Sequence, residues 1–190
     1  MVAWAASTLA IVCPRIVITA PAEAVEDMVK AVAHVAADIT VVAGSDTRQR
    51  SVAAGIAALG TDAQEILVHD AARPFMPAGV MGAALAELSR YDGVIPVLPV
   101  VDTVVAGVPD DVRYLKRASL GAVQTPQAFR AGPLRDAHAR AAADGIEATD
   151  DGALLMHYGY TVGTCAGDAA GRKVTYPEDL AFFEERMLAP

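Results

Sequence analysis

Four short segments concentrate the residue types that handle phosphate. The first is His69-Asp70-Ala71-Ala72-Arg73-Pro74-Phe75, directly after the apolar run that begins at Glu65. Ligands of open α/β sheets gather at the carboxyl ends of strands, so Asp70 is placed for a divalent cation and Arg73 for a phosphate. A turn-capping Asp70 beside a solvated Arg73 has the same spacing. His69, flanked by apolar residues, reads as a satisfied structural imidazole rather than a base. The second is Gly44-Ser45-Asp46 with Arg48, Arg50 and Ser51 at the opening of a helix, where backbone donors favour an anionic or polar ligand. Its plain alternative is an Asp46 or Thr47 N-cap with exposed arginines. In the third, Thr149-Asp150-Asp151, Thr149 reads as an N-cap with both acids in the first turn, a routine helix start. The fourth, Gly171-Arg172-Lys173-Val174-Thr175, reads either as a phosphate clamp or as a solvated pair of cations. Lysine is scarce, with Lys30, Lys116 and Lys173 the three in the chain.

The elements that carry these segments alternate β-rich runs with helical patterns, as in βαβ units on a largely parallel sheet. Strands are read at 15–20, 38–42, 65–69, 93–98 and 161–164, and helices at 21–35, 48–59, 78–89, 131–143, 150–158 and 177–187. An apolar helix end, Val2 to Val12, feeds the first strand. The middle changes character: Val100 to Ala106 and Val112 to Ala118, joined by Gly107-Val-Pro-Asp-Asp111, read as a β-hairpin arm over about 100–118. Such an excursion needs a surface to lie against, and another subunit can provide it.

Composition bounds the classes. The 190 residues are 54% apolar, with 15 Lys and Arg against 23 Asp and Glu, a net charge of −8. That is one domain over 1–190, and it excludes disulfide scaffolds, collagen-like chains and disordered tails. The acidic balance argues against nucleic acid as partner. Met1 to Val12 lacks a basic leader region and falls short of the ~18 residues of a membrane span. Cys13 and Cys165 lie far apart with no CxxC spacing, which fits reduced thiols in the cytoplasm.

Taken in order, Gly44-Ser-Asp…Arg50-Ser-Val, Val68-His-Asp-Ala-Ala-Arg-Pro, Val101-Asp-Thr, Gln124-Thr-Pro-Gln-Ala-Phe, Thr149-Asp-Asp and Arg172-Lys-Val-Thr-Tyr-Pro-Glu-Asp-Leu resemble the 2-C-methyl-D-erythritol 4-phosphate cytidylyltransferases of the non-mevalonate isoprenoid pathway. The resemblance runs from about Arg15 to the C-terminus. It implies a Rossmann-like nucleotidyltransferase α/β fold, with a mostly parallel sheet and a hairpin arm that forms a homodimer. It also implies cytidylyl transfer from CTP to a sugar-alcohol phosphate with Mg²⁺. On it, Ser45, Asp46 and Ser51 match the cytosine-binding segment, Asp70 the metal-associated carboxylate, and Arg73, Thr125, Thr149 and Lys173 the sugar-phosphate pocket. Thr103 and Arg117 match arm residues that reach a neighbouring subunit, and Lys173 and Arg117 lie near the reacting groups. Ribitol 5-phosphate is the competing acceptor, and a dimer-forming binding module with impaired catalysis is the alternative of another class.

One departure shapes two expectations. The family opens with a strand and a glycine-rich loop, followed by Pro-Lys, that wraps the triphosphate, and this sequence contains neither GxGxxG nor GxxxxGK[ST]. The domain is therefore expected to be N-terminally incomplete. Without its central first strand, two strand edges are expected to lie unpaired or to rearrange.

Overall fold

A computed structural model describes residues 1–176, 178 and 179. The helix read at 177–187 lies outside these residues. The chain begins with α1 (Val2–Leu9), followed by β1 (Arg15–Ala20), which starts after Pro14 and stops before Pro21. Pro21 caps a short 3₁₀ turn rather than the first turn of a long helix, so α2 is confined to Val25–Val32. Next come β2 (Asp38–Ala43), α3 (Arg48–Ala58), β3 (Glu65–Val68), α4 (Ala78–Glu87) and β4 (Gly93–Pro99). The arm holds β5 (Val105–Ala106) and β6 (Arg113–Tyr114), and the chain returns through β7 (Gly121–Val123), β8 (Gln127–Arg130), α5 (Ala131–Asp144), α6 (Asp151–His157) and β9 (Val162–Ala166).

The sheet is mixed rather than mostly parallel. β1 pairs in parallel with β2, and β4 with β9, whereas β3–β8, β4–β8 and β4–β7 are antiparallel. The reason is the return from the arm: β7 and β8 re-enter the sheet against β4 instead of continuing the βα rhythm. β8 is central and sorts its side chains by the period of two. Phe129 packs with Ile56, Ile66, Leu134, Leu154 and Leu155 beneath α3, α5 and α6, while Ala128 faces Ala84, Leu88 and Val94 beneath α4. Helices thus cover both faces, and the loops after β2, β3 and β4 emerge together.

Among the described residues β1 pairs with β2 alone and β3 with β8 alone, so each has an edge that no strand occupies. Two cavities of about 230 and 390 Å³ lie between these edges, lined by Ile16 and Val17 on one side and by Ile66, Leu67 and Val68 on the other. The α1 helix lies across both, with Ala5 and Ala6 buried and Leu9 packed toward Met76 and Met81. An apolar helix thereby covers surface that no backbone ladder closes.

The arm is slighter than its sequence. The seven-residue runs form two-residue strands, with Val105 opposite Tyr114 and Ala106 opposite Arg113. Gly107 turns the chain at φ +75°, and a side chain there would run into the carbonyl of Asp111, so the turn requires glycine.

Candidate functional site

Asp70 sits one residue past His69 at the end of β3, and its local geometry is set by a hydroxyl. Thr125 Oγ1 accepts from the Asp70 N–H at 2.9 Å and lies 3.0 Å from His69 Nδ1. His69 Nε2 is 3.1 Å from the Arg73 carbonyl, which only accepts, so Nε2 carries the proton and Nδ1 accepts from Thr125. Burial pushes the His69 pKa down to about 4, so the ring stays neutral. The imidazole is therefore structural, in agreement with its apolar sequence neighbours. Thr125 is itself only 5% exposed and supports the Asp70 loop from beneath.

Four cationic residues lie on the segments around Asp70, and three of them reach its carboxylate. Lys173 Nζ donates to Oδ2 at 2.9 Å, Arg48 Nε lies 3.6 Å from Oδ1, and Arg73 Nε lies 4.0 Å from Oδ2. The fourth, Arg172, turns instead to Asp179 at 2.6 Å, so the adjacent pair of cations is split between two tasks. Burial alone would raise the Asp70 pKa, but Lys173, Arg48 and Arg73 outweigh it and hold the carboxyl below its ordinary value.

Lys173 is brought here by backbone bonds rather than by its own pairing. Arg73 Nη1 donates to the Gly171 carbonyl at 2.7 Å, and Val174 N–H donates to Ala72 O at 2.8 Å, fastening the 171–174 segment to the Asp70 loop. Gln124, buried to 3% exposure, holds the preceding turn by donating to Asp168 O and accepting from Asp168 N–H. Arg73 also reaches Val123 O at 3.3 Å, so its guanidinium is largely a clasp between segments. Its Nε is the buried side-chain donor without a hydrogen-bond partner among the described residues, and burial lowers the Arg73 pKa. An anionic oxygen in front of Asp70 would satisfy it.

Thr47 caps α3, its hydroxyl accepting from Arg50 N–H at 3.2 Å, while Ser51 Oγ accepts from Ser45 N–H at 2.9 Å. Asp46 pairs with Arg50 at 2.7 Å on an exposed face, so Ser45, Asp46 and Ser51 form one turn at the mouth of the site. Asp150, rather than Thr149, is the N-cap of α6, accepting from Ala153 N–H at 2.7 Å. The shift places Asp151 inside the protein at 1% exposure, where Arg48 donates to it at 2.8 Å, and leaves Thr149 exposed. Gln127, fully buried, fixes this turn by donating to Asp150 Oδ2 and accepting from Gly152 N–H.

The structure therefore brings together Asp70, Arg73, Thr125 and Lys173, with the Ser45–Ser51 turn nearby. It does not bring Thr103 or Arg117 to them within one chain. Both are exposed, and Arg117 Nη1 donates to Val101 O at the base of the arm. Sequence reasoning placed Arg48 in the second segment and Asp151 in the third but gave neither a site role, the arginine having an exposed alternative and the aspartate reading as a routine helix-start charge. No local signal separates Asp151 from Asp150, because a cap acid and a first-turn acid are both at home in water at a helix start.

Among the described residues no helix is long and apolar enough to cross a membrane. Nor do these residues contain a group of three or more His, Cys, Asp or Glu able to hold a metal ion.

A sequence model of the 2-C-methyl-D-erythritol 4-phosphate cytidylyltransferase family matches residues 1–188. The bifunctional enzyme IspD/IspF of Rhodopseudomonas palustris is 44% identical over 150 residues, covering 77% of this chain and 38% of that protein. Its counterpart in Solidesulfovibrio magneticus is 43% identical over 159 residues, covering 83% of this chain and 40% of that one. The chain thus spans about two-fifths of the length of these relatives. The crystal structure of 2-C-methyl-D-erythritol 4-phosphate cytidylyltransferase from Thermus thermophilus superposes with a TM-score of 0.84 at 33% identity, covering 98% of this chain and 88% of that one. The synthase structure from Anaerococcus prevotii, at 24% identity and a TM-score of 0.91, shares the fold. Because the family model matches residues 1–188, nearly the whole chain, this protein belongs to the 2-C-methyl-D-erythritol 4-phosphate cytidylyltransferase family.

Proposed function

We propose that the chain transfers a cytidylyl group from CTP to 2-C-methyl-D-erythritol 4-phosphate, giving 4-diphosphocytidyl-2-C-methyl-D-erythritol and pyrophosphate. The observation that carries this reading is the Lys173–Asp70 pair at 2.9 Å, flanked by Arg48 and Arg73, at the carboxyl end of β3. Two polyanions must meet in this reaction. An oxygen of the acceptor phosphate forms a bond to the α-phosphorus of CTP as the bond to the β-phosphate oxygen breaks, and pyrophosphate leaves with that electron pair. The nucleophile is already an anion, so no side-chain base is needed, which agrees with a neutral His69 committed to two hydrogen bonds. What the protein must supply is alignment and positive charge. Lys173 does so beside the acceptor phosphate, and Arg73, whose Nε lacks a hydrogen-bond partner, offers a donor to the same anion. The Ser45–Asp46–Ser51 turn holds the cytosine, and Thr149, exposed at the rim, contacts the acceptor.

Asp70 fits a Mg²⁺ that takes one protein carboxylate and completes its shell with phosphate oxygens and water, the usual arrangement for this ion. When bound, the ion neutralises charge on the triphosphate. Lys173 and Arg48 share the Asp70 oxygens, so Asp70 would be the meeting point of the protein's cations and the ion.

The arm completes the reading as a homodimer contact. Val101, Val108 and Tyr114 are 78%, 68% and 79% exposed, an apolar surface that a partner subunit would cover while receiving Thr103 and Arg117. The same reading places the protein in the cytoplasm, where the free thiols of Cys13 and Cys165 stay reduced.

The test is pyrophosphate release from CTP and Mg²⁺ with either 2-C-methyl-D-erythritol 4-phosphate or ribitol 5-phosphate, run on this chain and on an N-terminally extended one. Release with the methylerythritol acceptor by either chain supports the reading. Preference for ribitol phosphate reassigns the acceptor, and binding without turnover in both chains replaces the enzyme with a dimer-forming binding module.

A further inference from the structure

Behind Asp70, Arg48 leads to a buried carboxylate and imidazole, Asp151 and His138, that the proposed reaction does not use. Asp151 presents one oxygen to each of two partners: His138 Nε2 donates to Oδ1 at 2.9 Å, and Arg48 Nη1 donates to Oδ2 at 2.8 Å. The side chains of His138 and Asp151 are 5% and 1% exposed. A carboxylate this deep must be fully paired, and it is. Arg48 spans the distance from there to the site, with its Nε 3.6 Å from Asp70 Oδ1, beyond hydrogen-bonding range. Arg48 thus lies between two carboxylates, tightly bound to the fully buried one and only loosely to the partly buried Asp70.

The asymmetry has a consequence for Asp70. A guanidinium free to choose would turn its fork onto Asp70 and form two short parallel bonds, engaging both carboxylate oxygens. Oδ2 of Asp70, which Lys173 holds at 2.9 Å, would then be shared between two cations, and their mutual repulsion would weaken the Lys173 bond. We infer that Asp151, fixed by His138, is a positioning residue: it holds Arg48 back from Asp70 and so leaves the Asp70–Lys173 pair intact. This assignment rests on the cytidylyl-transfer reading for its effect on rate. The restraint itself is a statement about side-chain geometry and can be tested without turnover. Burial lowers the Arg48 pKa, but Asp151 first and Asp70 after it outweigh that and raise it, in accord with a cation held between two carboxylates.

The test compares Asp151→Asn, His138→Gln, His138→Leu and the double variant Asp151→Asn/Arg48→Met with the unaltered chain. Asp151→Asn keeps the shape of the side chain and removes the charge that anchors Arg48. Its kcat is expected to fall about 10–100-fold, the scale of a misplacement near 1 Å at a reacting centre, with KM for CTP within about two-fold. His138→Gln preserves a donor to Asp151 and should stay near the unaltered rate, whereas His138→Leu should lose about 3–10-fold on the same argument. The double variant removes the released guanidinium and should regain part of the loss.

A purely structural ion pair predicts the reverse pattern, with lower melting temperature in Asp151→Asn, unchanged kcat per folded protein, and a double variant no better than the single. Either of the last two results overturns the proposal. The readout independent of turnover is the Arg48 Nε–H resonance by NMR. It should shift in Asp151→Asn as a bond to Asp70 forms, and that shift should vanish when Asp70→Asn is added. If the unaltered chain and its N-terminally extended version turn over no substrate, the functional reading fails while this shift still decides the restraint. An unmoved Arg48 signal refutes it.

Discussion

The Asp70 cluster and the 100–118 arm are both rich in residues matched to function, yet they are built in opposite ways. Around Asp70, backbone and side-chain bonds from four separated segments converge: the β3 end, the start of α3, Thr125 and the 171–174 strip. Buried glutamines stand on both sides, Gln124 under the 168–171 turn and Gln127 under the 150–152 turn. In the arm, two strands of two residues carry an exposed apolar surface, and Arg117 finds only the backbone of Val101. The difference teaches where preorganisation comes from. The cluster is assembled by its own chain, whereas on the proposed reading the arm presents its groups to another subunit.

The sharpest way to break this contrast is at Lys173. In the proposed reaction Lys173→Ala should lower kcat about 10²–10³-fold, about 3–4 kcal/mol of barrier, while calorimetric CTP affinity stays within a few-fold. An unchanged kcat would remove Lys173 from the site and leave the cluster as mere structure.

Acid should loosen the cluster before it touches the arm. The unfolded chain takes a proton on His69 near its ordinary value of 6.5, whereas the folded ring resists it down to about 4. Folding stability contributed by neutral His69 is therefore complete above about pH 6.5 and declines as pH falls toward 4, a change of about 3 kcal/mol. Urea melts across this range should show the slope, and His69→Gln should flatten it relative to the unaltered chain.

Gln127→Leu tests the buried support directly. It leaves Asp150 Oδ2 and Gly152 N–H without their partner, so denaturant unfolding should show a loss of about 2–3 kcal/mol. A loss below about 0.5 kcal/mol would mean that the turn before α6 holds itself. The smallest effect belongs to the arm. Tyr114→Ser should alter the stability of the isolated chain by less than about 0.5 kcal/mol, as at other exposed positions. In sedimentation it should shift the protein toward monomer. A large drop in stability without a change of mass would show that the arm packs on its own chain.

Much of the frame is legible in one dimension. β1 reads at its observed bounds because Pro14 and Pro21 bracket it, and α3 follows from Val52, Ile56 and Leu59 on one face. The strands β7 and β8 do not show in the pattern. Gly121–Val123 and Gln127–Arg130 are three and four residues long and flank Thr125-Pro126, so neither length nor alternation marks them. Yet β8 is the strand on which both helical layers meet. Missing it makes the sheet look mostly parallel.

The candidate site divides in the same manner. Asp70, Arg73, Thr125 and Lys173 are readable from motifs, because residue type and family order name the chemistry. Arg48 and Asp151 are passed over because a helix-start arginine and a helix-start aspartate look solvated in one dimension. They lie 103 positions apart in the chain and 2.8 Å apart in space.

By itself, then, the sequence determined most of the elements, the family and the charged groups at the strand ends, since these depend on local periodicity and on residue identity. Tertiary structure alone decided that Asp70 pairs with Lys173, that Arg172 turns away to Asp179, that Asp151 is buried against Arg48 and His138, and that the edges of β1 and β3 face each other across α1 without pairing. Each of those outcomes is a choice among partners distant in the chain, and such choices are settled by packing and by the cost of leaving a buried charge or donor unpaired.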